Sequence, residues 1–403
     1  MKSNPVVITP MDYHMGVDIA RSLGRRGIPV YGIDPDPGQP GRSTRFAHFQ
    51  VCPDPKESKE AFIQYLLDFG RKTLEQKAVL LAVRDNEVMI ISEERQRLKE
   101  YYEIVMPEHA TVAKLLTKDG LRQAAIECGI PAPQTAYPNN EHEAASAAEG
   151  MQFPVILKPT ESTYWHKPEI VKLLSEGAIS GKAKVVLCRT KDELLTNYRK
   201  IAAHDPRMIV QEAIPGEDRQ LVYFASYTDR QSQTIASFAG RKIRVIPAGF
   251  GSASYVKTFY DPVLYDLSVK LLSGVKYQGL SGIEFKQDPR DNIYKLVEVN
   301  ARFGLWDGLS TKVGVDLPWV AYQDAIGQPV EPRHTYPEGV IWVDYYRDLR
   351  AFLTYRRQGK MTFGDWMRSL RGDKMVGTFT WDDPLPLFST GWSLASRLLG
   401  RSG

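Results

Sequence analysis

Residues 281–304 constrain the fold of this chain more than any other stretch. Two runs of alternating apolar residues, 281–286 and 295–304, flank a segment rich in Asp, Pro and Asn. Apolar alternation broken by turn-forming residues is the pattern of a β-hairpin with a longer loop. Because side chains alternate across a strand, each strand of this hairpin has one apolar face and one polar face.

The polar face of the hairpin carries Glu284 on the first strand, and Glu298, Asn300 and Arg302 on the second. With a loop of about five residues, a length that hairpins commonly use, Glu284 lies opposite Glu298. Two like charges directly opposed destabilise a strand pair. A divalent cation between them removes this penalty, and carboxylate and amide oxygens suit Mg²⁺. The alternative is a solvated charged face on an amphipathic hairpin.

Length and composition bound the remaining possibilities. A chain of 403 residues predicts two or three domains. The net charge of +4 is mildly basic, without a tract typical of nucleic-acid binding. Cys52, Cys128 and Cys188 are few and far apart, which argues against a disulfide framework or a zinc site. The N-terminus lacks an apolar signal region and no apolar run approaches the length of a membrane span, so we expect a soluble cytoplasmic protein.

The N-terminal part of the chain has the pattern of an open α/β domain. Residues 5–34 are read as strand, helix and strand, a unit typical of parallel sheets, and Asp34 follows the second strand. An acid at that position raises the possibility of a dinucleotide site. The loop at residues 9–16 holds one glycine and no GxGxxG, which argues against it.

The middle of the chain alternates strands with polar turns. We expect a helix within residues 114–134, ended by Gly129, and a buried strand at 153–158 that ends at Lys158. A strand at 208–212 runs into a turn, and two or three strands follow from 221 to 259. Alternation in the basic segment 240–245 predicts that Arg241 faces away from two other cations, Lys242 and Arg244.

Five segments in this order resemble the ATP-grasp superfamily, and within it the carboxylate–amine ligase group, over residues 5–330. The segments are Leu116-Thr-Lys-Asp with Gly129-Ile-Pro-Ala-Pro, Pro154-Val-Ile-Leu-Lys-Pro, Gln211-Glu-Ala-Ile-Pro-Gly-Glu-Asp, Gly282-Ile-Glu-Phe-Lys and Leu296-Val-Glu-Val-Asn-Ala-Arg. The resemblance implies α/β and α+β architecture. An N-terminal parallel-sheet domain precedes two lobes that hold ATP between antiparallel sheets. The domains expected are 1–113, 114–206 as the small lobe, 207–330 as the large lobe, and 331–403 as an unassigned extension.

The resemblance also implies roles for individual residues. The phosphate-contacting lysines are Lys118 and Lys158. The adenine segment is Gln211, Glu212, Ala213 and Ile214, and the ribose acid is Glu217 or Asp218. The Mg²⁺ ligands are Glu284, Glu298 and Asn300, with Mn²⁺ as an alternative ion, and Arg302 lies near the transferring phosphate. We add Arg241, Lys242 and Arg244 as candidates for holding a carboxylate or acyl phosphate.

The family chemistry implied is ATP-dependent activation of a carboxylate as an acyl phosphate, followed by amide formation with an amine. Its partners would be small molecules: an amino acid, a peptide or a cell-wall precursor. The loop after Lys158 departs from the glycine-rich pattern of many relatives, which leaves Ser162, Thr163 and Lys184 as candidates to cover the phosphates. Trp306, Asp307 and Ser310 are candidates to line an acceptor pocket.

Several alternatives stay open at this point. A carboxylase-like enzyme is disfavoured because we see no biotin-carrier segment in the chain. A protein that binds ATP without catalysis is disfavoured because the residues needed for catalysis are all present: Glu284, Glu298, Asn300 and Arg302. A basic amphipathic helix at 388–401 would pack on the body of the protein or hold weakly to an anionic membrane surface. A homodimer is a further alternative.

Overall fold

The computed structural model describes residues 3–12, 14–160, 165, 167–177, 185–249, 251–377 and 379–389. The chain forms two compact units. The first comprises residues 1–130, 218–285 and 298–403, and the second comprises 131–217 and 286–297. No helix within the described residues is long and apolar enough to cross a membrane.

The first unit begins with a five-stranded parallel sheet, as the sequence predicted. The strand order is β3-β2-β1-β4-β5, and the registered pairs are parallel throughout. The elements of this part are β1 (Val6–Thr9), α1 (Met15–Gly24), β2 (Val30–Asp34), β3 (His48–Val51), α2 (Lys59–Thr73), β4 (Ala78–Ala82), α3 (Asp85–Glu93), α4 (Arg95–Leu98), β5 (Tyr102–Glu103), α5 (His109–Leu116) and α6 (Lys118–Glu127).

One helix that the sequence predicted as continuous is broken in the structure. Residues 114–134 do not form a single helix, because α5 ends at Leu116 and α6 begins at Lys118. Thr117 between them has an extended backbone, and its side chain accepts a hydrogen bond from the backbone N–H of Gly120. A threonine that caps a new helix satisfies one of its free N–H groups, which favours the break.

The second unit is built on a four-stranded antiparallel sheet of order β6-β9-β7-β8. Its core contains buried residues of both helices and strands, among them Val155, Leu157, Tyr198 and Val210. Its elements are β6 (Thr135–Ala136), α7 (Glu141–Glu149), β7 (Val155–Pro159), α8 (Pro168–Gly177), β8 (Val186–Cys188), α9 (Lys191–Ala202) and β9 (Met208–Glu212).

The remaining elements form or flank a seven-stranded sheet of order β14-β13-β10-β11-β12-β15-β16, which lies in the first unit except for the parts of β13 and β14 within residues 286–297. Its elements are β10 (Leu221–Thr228), β11 (Thr234–Ile246), β12 (Ser252–Thr258), α10 (Pro262–Gly274), β13 (Gly279–Gln287), β14 (Tyr294–Asn300), α11 (Leu309–Lys312), α12 (Leu317–Ala325), β15 (Ile341–Val343), α13 (Tyr345–Arg357), α14 (Phe363–Ser369) and β16 (Lys374–Val376). The predicted hairpin of residues 281–304 is formed by β13 and β14, which are neighbours in this sheet.

A single apolar core joins the parallel sheet to the seven-stranded sheet within the first unit. Buried side chains of the N-terminal part, such as Ile8 and Val17, belong to the same cluster as Phe238, Trp306 and Trp342. Burial on this scale provides the main free energy that holds the unit together. The mixed α/β architecture expected from the sequence is therefore confirmed.

The last described segment returns to the N-terminal helix. The guanidinium of Arg21, which is 2% exposed, donates to the Asp383 carboxylate from Nε over 2.9 Å. The same carboxylate accepts hydrogen bonds from the Thr44 hydroxyl at 2.7 Å and the Arg45 backbone N–H at 3.0 Å. Next to it, Asp382 forms a bidentate pair with Arg25. This C-terminal clasp, Asp382 and Asp383, connects the two ends of the described chain.

Candidate active site

The polar face of the β13–β14 hairpin holds the predicted metal ligands of the first unit. Glu284 lies on β13 and accepts a hydrogen bond from the Lys242 ammonium of β11. Glu298 lies on the neighbouring strand β14, and its side chain reaches solvent. Loss of hydration and the negative charge of Glu284 nevertheless raise the pKa of Glu298, against the opposing effect of Lys242. The negative charge of Glu284 thus acts on Glu298, and their direct opposition across the strand pair stays a prediction.

Asn300 and Arg302 continue this polar row. The Asn300 side-chain oxygen accepts a hydrogen bond from Arg302 Nη2 at 3.0 Å. Arg302 also donates from Nε and Nη2 to the two carboxylate oxygens of Asp85, at 2.7 and 3.1 Å. Asp85 is the first residue of α3 and follows the end of strand β4. The paired arginine is thus held in one orientation by groups on both sides.

The set of two carboxylates and one amide has the donor chemistry that Mg²⁺ prefers. The described part of the chain contains no cluster of three or more His, Cys, Asp or Glu side chains placed to hold a metal ion. The Lys242 ammonium already forms an ion pair with Glu284. The hard oxygen donors, together with the repulsion between Glu284 and Glu298, fit a cation at this face. The assignment of Glu284, Glu298 and Asn300 as metal ligands remains a prediction.

The three basic residues of β11 have different surroundings. Arg241 donates to the backbone carbonyl of Arg219 at 2.9 Å and its guanidinium lies 4.5 Å from the ring centre of Phe259. Lys242 is bonded to Glu284, as described above. The strand register shifts between Lys242 and Arg244, so simple alternation does not relate these two side chains.

Arg244 corrects a prediction made from the sequence. Its guanidinium is fully buried and donates to both carboxylate oxygens of Asp348 on α13, at 2.7 and 2.8 Å. The ring of Tyr255 lies 4.1 Å from it. A cation enclosed in this way has no surface to offer a substrate. The geometry therefore assigns Arg244 a structural role in place of the predicted contact with a carboxylate or acyl phosphate.

In the second unit, two of the predicted nucleotide-binding residues, Lys158 and Gln211, are in direct contact. Lys158 near the end of β7 donates from Nζ to the Gln211 side-chain oxygen at 2.8 Å, and Gln211 donates to Thr135 Oγ1 at 2.7 Å. The paired strands β7 and β9 place these residues side by side, with Lys158 opposite Ile209 in the register. A lysine held at a strand end by an amide is well placed to meet an anion.

The end of β9 and the segment that follows it are held by side-chain and backbone hydrogen bonds. Glu212 accepts a hydrogen bond from the Gln152 N–H at 2.8 Å, and the Ala213 N–H donates to the Pro154 carbonyl at 2.9 Å. The Ile214 carbonyl accepts from Lys286 Nζ at 2.7 Å. Lys286 was part of the Gly282-Ile-Glu-Phe-Lys segment, yet sequence reasoning gave it no role. The signal that could have found it is its spacing of two residues from Glu284, which places both side chains on one strand face.

Asp218 and Glu217 are the two candidates for the acid that binds the ribose. The Asp218 carboxylate accepts hydrogen bonds from the Gly249 N–H at 3.0 and 3.2 Å and from the Tyr355 hydroxyl of α13. Glu217 precedes it in the chain and belongs to the second unit. Either assignment stays a prediction. Tyr355 was missed from the sequence because residues 331–403 match none of the family segments.

The remaining predicted residues lie apart from these contacts. Lys118 is the first residue of α6 in the first unit and is half-buried. Trp306, Asp307 and Ser310 are buried, and Trp306 packs on the rings of Tyr223 and Phe238. Burial raises the pKa of Asp307 to about 7. These three side chains belong to the core and not to an open acceptor pocket. Ser162, Thr163 and Lys184 lie outside the described residues, as does most of the predicted helix at 388–401.

Comparison with known proteins finds proteins that are similar to this chain over most of its length. No family model matches the chain. The chain is 25% identical to a D-aspartate ligase from Enterococcus faecium (strain Aus0004) over 336 residues, 80% of this chain and 77% of that protein. The crystal structure of an L-amino acid ligase from Bacillus licheniformis superimposes with a TM-score of 0.57 at 14% identity, covering 82% of this chain and 76% of that one.

A further solved structure is similar in fold. It is the biotin carboxylase domain of the Hydrogenobacter thermophilus 2-oxoglutarate carboxylase, a dimer in complex with MgADP, ADP and bicarbonate, with a TM-score of 0.60 at 14% identity. It covers 83% of this chain and 72% of that one. At such identities the solved structures establish the fold alone. Together with the sequence relationship to D-aspartate ligase, these similarities point to the ATP-grasp carboxylate–amine ligase group.

Proposed function

We propose that this chain is an ATP-dependent ligase that joins a carboxylate to an amine and releases ADP and phosphate. The observation that carries the proposal is the row Glu284, Glu298, Asn300 and Arg302, whose carboxylates interact and whose arginine is held between Asp85 and Asn300. The sequence relationship to a D-aspartate ligase supports the same reaction class.

ATP and Mg²⁺ are the cofactors of the proposed reaction. Glu284, Glu298 and Asn300 would hold the ion, which when bound neutralises phosphate charge. Lys158, in contact with Gln211, is the lysine proposed to meet ATP oxygens. Phosphoryl transfer needs positioning and charge neutralisation more than covalent assistance from the protein, and these residues supply both.

The reaction follows from these positions. A carboxylate oxygen of the first substrate attacks the γ-phosphorus, and the bond from that phosphorus to the bridging oxygen breaks, so that ADP leaves. The amine of the second substrate then attacks the acyl carbon, a C–N bond forms, and phosphate leaves as the amine loses a proton. Arg302 presents a planar guanidinium that can stabilise the transferring phosphoryl group.

The substrates are a small-molecule carboxylate and a small-molecule amine such as amino acids, with a peptide or a cell-wall precursor as further candidates. The cytoplasm as the location and a homodimer as the assembly remain predictions. The alternative of a protein that binds ATP without turning it over would leave no use for the paired Glu284 and Glu298.

An isotope experiment tests this function. Amino acids and carboxylates are first screened for ATP-dependent phosphate release, with mass spectrometry of the products. A carboxylate substrate labelled with ¹⁸O is then expected to transfer one label to the released phosphate. Label in AMP with release of pyrophosphate would mean adenylation and would overturn the proposal.

The same assay tests Arg302. Arginines that stabilise a transferring phosphoryl group contribute roughly 10³–10⁵ in rate elsewhere, and we expect Arg302→Ala to lose at or below the low end of that range. Arg302→Lys should recover only part of the rate, because an ammonium cannot reproduce the planar fork. Arg97→Ala is the matched control, since Arg97 is exposed and also forms a two-point pair, with Glu60. Equal rates for Arg302→Ala and Arg97→Ala would contradict the role of Arg302.

A further inference from the structure

Helix α13 has two faces of different character. The inner face contains Asp348, Ala351, Phe352 and Tyr355, which are all buried. Asp348 forms the buried pair with Arg244, and the Tyr355 hydroxyl donates to Asp218. These contacts fix the rotation of the helix about its own axis. The other side of α13 is therefore held facing outward.

The outward face of α13 is apolar at its centre. Tyr345, Leu349 and Leu353 are spaced by four residues and form one stripe along the helix, with Tyr346 beside it. The short helix α14 adds Phe363 and Met367, again four residues apart. These six large side chains are between 43% and 56% exposed. Single exposed apolar residues are ordinary on protein surfaces, whereas a stripe of them indicates a binding surface.

Basic residues surround this stripe. Residues 345–371 contain seven arginines and lysines and two acids, and one of those acids, Asp348, is buried against Arg244. The whole chain carries a net charge of only +4, so this segment accounts for its positive balance. Arg350, Arg356 and Arg357 are exposed and form no ion pair with any acid that the structure describes, and the Arg350 guanidinium lies 5.6 Å from the ring centre of Tyr346. Their charges are available to an external partner.

We propose that the outward face of α13, with Phe363 and Met367 of α14, docks on the surface of an anionic lipid bilayer. We call it the α13 docking face. A helix with an apolar stripe between arginines lies in the plane of a membrane, with the apolar side chains below the headgroups and the cations against anionic lipids. Tyrosine is favoured at such an interface because its ring is apolar and its hydroxyl is polar.

Other occupants fit the face less well. A second copy of the chain, bound through the same face about a two-fold axis, would bring two strongly positive segments together, and that repulsion opposes association. An acidic protein would neutralise the arginines, but it would need an apolar patch matched to the stripe. A bilayer supplies negative charge and an apolar interior together. The docking proposal does not depend on catalysis and stands whichever substrates the proposed ligase uses.

Vesicle co-sedimentation of the full chain tests the proposal. We expect binding to vesicles of phosphatidylcholine mixed with phosphatidylglycerol, little binding to phosphatidylcholine alone, and a loss of binding as salt rises. Removing one basic residue near an anionic surface weakens binding about fivefold, so Arg356→Gln with Arg357→Gln should weaken it about 30-fold. Leu349→Ser with Leu353→Ser should weaken it by at least tenfold, since less apolar surface enters the bilayer.

Matched controls use the same substitutions elsewhere. Arg71→Gln with Lys72→Gln changes an adjacent basic pair in the last turn of α2, the position that Arg356 and Arg357 occupy in α13. Val263→Ser removes an exposed apolar side chain from α10. Both control proteins should bind vesicles as the unchanged chain does, and circular dichroism should show that all variants are folded.

Three results would overturn the proposal. Binding that is equal for anionic and neutral vesicles would refute the role of the arginines. Binding that is lost equally in the control proteins would refute the location. The third result is a chain that does not bind vesicles but forms a dimer in light scattering. If Leu349→Ser with Leu353→Ser dissociates that dimer, the face binds a second copy of the chain.

Discussion

Replacing Asp348 with alanine tests whether Arg244 is structural. In the folded protein the Asp348 carboxylate is fully buried and accepts hydrogen bonds from Arg244 at 2.7 and 2.8 Å. It also accepts from Trp366 Nε1 at 2.8 Å and the Ser254 hydroxyl at 3.2 Å. The alanine variant leaves a buried guanidinium without a counter-charge, and removing one partner of a buried pair typically costs about 3–5 kcal/mol.

Urea denaturation followed by tryptophan fluorescence and circular dichroism measures this loss. We expect the free energy of unfolding to fall by that amount, with a change in the fluorescence of Trp366 because its hydrogen-bond acceptor is gone. The double change Arg244→Met with Asp348→Leu should recover much of the stability, since it removes both charges and keeps apolar volume. Glu60→Ala breaks the exposed two-point pair with Arg97 and should change the free energy far less.

The outcome separates two explanations of Arg244. If Asp348→Ala lost less than about 1 kcal/mol, the buried pair would not stabilise the fold as argued. A variant of Arg244 that kept full stability but lost ligase activity would restore the substrate contact predicted from the sequence. A fall in both stability and activity, with recovery of stability in the double variant, is what the structural role requires.

Two further predictions concern carboxylates of the first unit. Glu298→Gln should abolish ATP-dependent phosphate release. The nucleotide-free protein should keep its thermal stability or gain slightly, because the repulsion from Glu284 is removed. Near-normal turnover would refute the metal assignment. Burial raises the pKa of Asp18 to about 7, with Arg21 only partly opposing the shift. An acid whose folded pKa is raised destabilises the fold progressively as pH rises from its unfolded value near 4 to about 7. Asp18→Asn should therefore stabilise the protein at pH 8 and have no effect at pH 4, as measured by urea midpoints; an equal gain at both values would contradict this.

The parts of the fold that sequence patterns predicted depend on local spacing. Strands β13 and β14 were recognised because apolar residues alternate on both sides of a turn-forming segment. In β14 the alternation is interrupted, because Val297, which it places in the core, is 41% exposed beside the exposed Glu298. The parallel sheet followed from strand and helix patterns in residues 5–34. These features need only neighbours within a few residues, and a single sequence contains that information.

The parts that sequence reasoning missed depend on distant partners or on one irregular residue. Arg302 is held by Asp85, which is 217 positions earlier, and nothing local to either residue signals the pair. The register shift after Lys242 changed the surroundings of Arg244, and no local pattern distinguishes such a bulge from regular alternation. Tyr355 was missed because it lies within residues 331–403, which match none of the family segments.

The C-terminal clasp has a consequence for the synthesis of this protein. Arg21 is buried near the start of the chain, and Asp383, which neutralises it, is 362 positions later. At translation rates of about 5–20 residues per second, the ribosome delivers that acid roughly 20–70 s after the arginine. Until then the emerging parallel sheet would have to bury this guanidinium without the Asp383 carboxylate and carbonyl that accept its hydrogen bonds, with the Asp18 carboxylate no nearer than 3.8 Å, which is unfavourable. The surroundings of Arg21 in the part of the protein that is made first are therefore completed only after Asp383 has left the ribosome.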